Sequence, residues 1–168
     1  MKLHIFYIHY NITGTDNKNR PVWFDYEKCF VNLLNTIKDK ENIELHVIMD
    51  GKIEYNWIKN YKDKFISHEI ITNHDMNSVT KEVYSIIKKI NCKESDLIYV
   101  LENDYLHAEN WPDKVFDLFH SFKGLNYISL YDHSDKYNDP NYDDLVSKIF
   151  VSNTHHWRTT VSTCGSYI

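Results

Sequence analysis

Strand-like and helix-like stretches alternate along this 168-residue chain, and they predict an α/β sandwich built on a mostly parallel sheet. Three observations carry the prediction. Leu97–Leu101 reads Leu-Ile-Tyr-Val-Leu, the pattern of a strand buried on both faces, as at the centre of a parallel sheet. Stretches with apolar residues three and four apart separate this run from others like it. Finally, four strand ends carry polar clusters: His9-Tyr10, Asp50-Gly51, Glu102-Asn103-Asp104 and Asp132-His133. Right-handed crossovers would collect them on one edge of the sheet, where open α/β sheets bind ligands.

Taken in order, Leu3–Tyr10 is the first predicted strand, with Ile5, Phe6 and Ile8 as core candidates. The polar segment 11–21 holds Gly14, Asp16, Asn17 and Asn19, all turn formers. Phe30, Val31, Leu34 and Ile37 predict a helix over 24–37. Ile43–Met49 is a second strand, closed by Asp50-Gly51. Trp57, Ile58 and Tyr61 suggest a short helix within 53–64, and 65–71 a short third strand. Val79, Val83, Ile86, Ile87 and Ile90 form one stripe of a helix over 77–90, with Asn77 or Ser78 as N-cap. The central strand follows over 96–101. Pro112 opens a helix over 112–122, since proline suits a first turn, and Gly124 ends it. A strand is expected over 126–131, a polar loop over 134–144, and β texture over 148–152 and 159–168.

No repeat, low-complexity tract or linker divides the chain, so one domain spanning 1–168 is expected. The net charge of −5, without a long basic run, argues against a broad nucleic-acid-binding face. Cys29, Cys92 and Cys164 are far apart and form no CxxC pair, which disfavours a disulfide framework and fits a reducing compartment. The N-terminal apolar run is broken by His4 and His9, too short and polar for a signal peptide or a membrane span. A soluble, cytoplasmic protein without a transmembrane segment is the expectation.

Carboxylate oxygens suit hard divalent cations such as Mg²⁺ or Mn²⁺. Two carboxylates behind so apolar a strand therefore make Glu102-Asn103-Asp104 a candidate metal motif, although capping of a strand-to-helix turn would use the same residues. In this context the chain resembles the GT-A-fold, family-two-like glycosyltransferases, which move a sugar from a nucleotide-diphosphate sugar to an acceptor. Their hallmark is an Asp-x-Asp motif, or a looser variant, after a hydrophobic strand. Leu97–Leu101 with Glu102-Asn103-Asp104 looks like that motif, with glutamate at its first position. The resemblance implies a Rossmann-like three-layer sandwich, a Mn²⁺ or Mg²⁺ ion ligated by Asp104, and Glu102 holding the metal through water or contacting the donor ribose. Asp50 would contact the nucleoside, an Asp-Gly turn being the competing reading. His9 and Tyr10 match the base-proximal segment loosely. Such enzymes usually continue past the strand that 159–168 resembles, so a partner chain or further residues are expected to complete the acceptor site.

Two other groups fit this chemistry. In His155-His156-Trp157-Arg158, arginine binds phosphate bidentately and His156 can complete a metal site. Asp132-His133 could supply an acceptor-side base, a carboxylate orienting a histidine, or a plain strand-end turn. The sequence thus predicts a metal-dependent glycosyltransferase whose partners are a nucleotide sugar and a glycan, lipid or protein acceptor. A nucleotide-sugar-binding module without turnover and a metal-dependent phosphoesterase are the alternatives.

Overall fold

A computed structural model describes residues 1–10, 20–72, 75–131, 134–142, 144, 146–160 and 166–168. The chain forms two compact units, Met1–His107 and Ala108–Ile168.

The first unit is a parallel α/β assembly. Its strands are β1 (Leu3–Tyr10), β2 (Ile43–Asp50), β3 (Ile66–Ile70) and β4 (Leu97–Glu102), and its helices are α1 (Tyr26–Ile37) and α2 (Met76–Lys89). The sheet order is β3-β2-β1-β4, and every pairing is parallel. The chain therefore steps outward from β1 to β2 and β3, then returns past β1 to β4. Right-handed crossovers on such a path put α1 and α2 on opposite faces. Leu3, Ile5, Phe6 and Tyr7 of β1 are all buried, as expected of the strand flanked by two ladders.

Phe30 of α1 anchors one face. It is fully buried, and its ring lies 4.9 Å from Tyr7, 5.8 Å from Trp57, 5.7 Å from Tyr61 and 5.9 Å from Phe65. Burial of such a side chain contributes about 1.5–3 kcal/mol, and the edge-on geometry of its neighbours adds to it. Trp57 lies in the 3₁₀ segment Trp57–Lys64, which kinks at Tyr61 (φ −114°) and is preceded by another 3₁₀ turn, Ile53–Tyr55; the expected short helix is thus a run of tight turns. The Asp25 carboxylate caps α1 by accepting from Lys28 N at 2.9 Å. On α2, Val79 and Val83 are buried as the stripe requires.

Three expectations need correcting in this unit and the next. The α2 N-cap is Asp75, not Asn77 or Ser78: its carboxylate accepts from Ser78 N. β4 is an edge strand of the four-stranded sheet rather than its centre. Apolar runs report that both faces are covered, whereas sheet order depends on which ladder edges are paired. In the second unit, 126–131 forms no strand; Ile128 instead exchanges both backbone hydrogen bonds with Ile168, at 3.0 and 2.9 Å.

The second unit also contains α3 (Trp111–Ser121), the one-turn α4 (Asp135–Asn138) and an antiparallel pair, β5 (Ile149–Val151) and β6 (His156–Arg158). Val115 and Leu118 supply the buried side of α3, and Gly124 follows with φ +83°, a conformation that favours glycine. The Asp117 carboxylate ties α3 to the β5–β6 turn. It accepts from Thr154 Oγ1 at 2.7 Å, Thr154 N at 3.0 Å and Asn153 Nδ2 at 2.7 Å, and these bonds hold its pKa down at about 2. No helix among the described residues is long and apolar enough to cross a membrane.

Candidate functional site

The carboxyl edge of the first unit collects five of the predicted positions, His9, Tyr10, Asp50, Glu102 and Asp104. The equal register of β1 with both neighbours sets Tyr10 beside Asp50 and Ile8 beside Glu102. Strand order reverses between β1 and β4, the place where a crevice opens outside the strand ends of an open parallel sheet.

Around it the side chains form a connected network. His9 is buried, its Nε2 lies 3.2 Å from Asn56 Oδ1, and its Nδ1 lies 3.2 Å from Asn103 Nδ2. The asparagine amide donates, so Nδ1 accepts and Nε2 carries the proton toward Asn56. Burial pushes the His9 pKa down to about 4, against the Asn56 hydrogen bond, so the ring is neutral at pH 7. Asn56 Oδ1 also accepts from Ile58 N, and the Tyr7 hydroxyl donates to Asn103 O at 3.4 Å. His9 and Asn103 thus fix the floor of the edge, not a titrating group in it. Tyr10, half-buried at the rim, has its phenol pushed up to about 12, by burial first and then by Glu102 and Asp50.

Asp104 is half-buried and ion-paired: Arg20 Nη2 lies 2.8 Å from its Oδ2. The Arg20 guanidinium in turn sits 4.5 Å from the centre of the Phe24 ring. Asp50 is buried and engaged by Thr72, accepting from its amide at 2.9 Å and its hydroxyl at 2.6 Å. Gly51, at φ 123°, takes the chain out of β2 in a conformation L-residues rarely adopt. Asp50 therefore holds the exits of β2 and β3 together. Glu102, Asn103 and Asp104 lie in the same edge as Tyr10, while Asp50 is turned into that internal bond.

His156 and Arg158 belong to the second unit, where both lie on β6 and alternate with Trp157. They line a cavity of about 850 Å³ with Lys136, Trp111, Tyr127 and Tyr131. Arg158 is half-buried, its guanidinium 4.9 Å from the centre of the Tyr137 ring. Asp132 and His133 lie outside the described residues.

One cluster escaped the sequence reading. His4 on β1 and Glu44 and His46 on β2 present ligand atoms within 4.8 Å of one another. The signal in the sequence is Glu-Leu-His at 44–46, two ligand types on one strand face, while His4 reads from the sequence alone as a break in an apolar run.

No protein-family model, curated protein or solved structure matches the chain.

Proposed function

We propose that the chain is a glycosyltransferase domain that binds a nucleotide-diphosphate sugar at the carboxyl edge of its parallel sheet, with a divalent cation at Glu102-Asn103-Asp104. The reading rests on one observation above all: strand order reverses between β1 and β4, so Tyr10 and the acidic triplet share the edge where such sheets take nucleotides. This β3-β2-β1-β4 order is that of the first four strands of the 3-2-1-4-5-6 Rossmann order, which favours the three-layer reading of the sequence.

The donor set fits the group. Mg²⁺ and Mn²⁺ take carboxylate oxygens, and Asp104 and Glu102 supply them at a half-buried edge. A bound cation would neutralise charge developing on a diphosphate leaving group. Arg20, now paired with Asp104, is a guanidinium suited to phosphate once the metal takes that carboxylate. Tyr10 offers a ring and a protonated hydroxyl to the nucleoside. His9 positions Asn103 from below. In the second unit, Arg158 and His156 line a cavity of that unit's own and remain candidates for an anionic ligand there. Asp50 serves better as the brace of this edge than as a nucleoside ligand.

A binding module without turnover is the second reading, favoured by the Arg20–Asp104 pair, which satisfies the carboxylate without a metal. Isothermal titration of Mn²⁺ together with uridine or guanosine diphosphate tests the site. The expected outcome is metal-dependent nucleotide binding that Asp104→Ala weakens by about tenfold or more. Binding unchanged in that variant would remove the assignment. Incubation with a panel of nucleotide sugars then separates the two readings, since release of the free nucleotide diphosphate requires turnover.

A further inference from the structure

We propose that His4, Glu44 and His46 form a zinc-class metal site at the amino end of the sheet, opposite to the edge that carries the nucleotide reading. The three side chains lie on one face by register: His4 pairs with Glu44, and Phe6, two residues along, pairs with His46. Their ligand atoms lie within 4.8 Å of one another. In a tetrahedral site with bonds of about 2.0–2.1 Å, ligand atoms stand about 3.4 Å apart, so small rotations close the set. Two contacts are already at that scale, His46 Nε2 to Glu44 Oε1 at 2.9 Å and His4 Nδ1 to the same oxygen at 3.5 Å.

The hydrogen bonding points to a ligand. His4 and His46 are 5% and 1% exposed, yet both ring nitrogens of His4 and Nε2 of His46 lack a hydrogen-bond partner. Glu44 Oε1 faces His46 Nε2 and His4 Nδ1 at ion-pair distance, 2.9 and 3.5 Å. Buried polar atoms in native proteins are normally satisfied, and one ion between these atoms would satisfy His4 Nδ1 and His46 Nε2 together.

The His46 ring already has the kind of outer contact metal ligands use, and the His4 ring has a carboxylate 3.8 Å from its second nitrogen. Metal-bound histidines usually give their second ring nitrogen to a carboxylate or another acceptor. His4 Nε2 lies 3.8 Å from Asp96 Oδ2, and His46 Nδ1 lies 3.2 Å from His68 Nε2. Asp96 is itself fixed by accepting from Lys2 N and Lys93 N. The far oxygen of Glu44 pairs with Lys2 Nζ, which leaves Oε1 for the metal. Two imidazoles and one carboxylate form a borderline donor set, which selects Zn²⁺ over Mg²⁺ or Ca²⁺. The ligands come from two strands, so the ion would clamp the start of β1 to that of β2.

The test uses the whole chain, stripped with a chelator and titrated with ZnCl₂ alone. One ion per chain should bind, the thermal midpoint should rise with zinc, and Co²⁺ substitution should give the intensified visible bands of tetrahedral coordination. Glu44→Gln and His46→Gln should each weaken zinc binding by about tenfold or more, whereas Asp104→Asn should leave it unchanged. Should the histidine variant not fold, zinc-edge anomalous scattering from crystals of the unaltered protein locates the ion directly. A midpoint indifferent to zinc, an anomalous peak elsewhere, or equal affinity in Glu44→Gln and the parent chain would overturn the site.

Discussion

Asn103 shows how one amide decides the state of a neighbour. It donates to His9 Nδ1 at 3.2 Å, which makes that nitrogen the acceptor of the ring. Asn103→Ala would leave a buried ring nitrogen unpaired, at a cost of about 1–3 kcal/mol. Chemical denaturation should show that loss, and His9→Phe in the same background should return part of it by removing the orphaned nitrogen. Unchanged stability in Asn103→Ala would mean that water takes the place of the amide. Asp104 teaches a different lesson. Its place behind an apolar strand was legible in the sequence, but its pairing with Arg20 was not, because 84 positions separate the two. Asp50 was legible as a strand-end acid for the same reason, while its capture by Thr72 belongs to the exit of another strand.

Elements read from periodicity came out nearly where the sequence put them. β1, β2, α1, α2 and α3 depend on local spacing of apolar residues, and spacing is a property of the chain itself. Caps and edges depend on geometry instead. Asp25 caps α1 from a position exposed to solvent, and Asp25→Ala should destabilise the protein by about 0.5–2 kcal/mol, with Asp25→Asn costing less. Denaturant midpoints of the two variants check this; equal midpoints for Ala and Asn would show the cap to be idle. The expected strand over 126–131 did not form because a strand needs a continuous ladder partner, and among the described residues the backbone pairing is that of Ile128 with Ile168. The His4–Glu44–His46 cluster was hidden likewise: His4 is 40 or more positions from the other two and becomes their neighbour only through the β1–β2 register.

At the scale of the whole molecule, buried neutral histidines set the response to acid. Burial lowers the pKa of both His9 and His107 to about 4, from an ordinary value near 6.5. A folded-state pKa below the unfolded one means that unfolding takes up protons. The stability from keeping these rings neutral is therefore fully present above about pH 6.5 and declines as pH falls toward 4, by up to about 1.4 kcal/mol per pH unit for each ring. Urea midpoints measured between pH 7 and pH 4 should fall accordingly, and His107→Gln should flatten the slope. A midpoint constant over that range would show that the rings titrate normally in the fold. The α/β class was legible because strand and helix periods alternate; the order of strands was not, since β4 could as well have entered between earlier strands.

The sheet order also has a consequence in time. Leu3 pairs with Ile43 on one side and with Leu97 on the other. During synthesis, β1 can gain its first neighbour once β2 has emerged, but its second ladder must wait for a strand made 94 positions later. Until then the apolar edge of β1 stays open, and contacts of such long sequence separation close slowly. This interval is when the nascent chain is most prone to pair with another copy of itself.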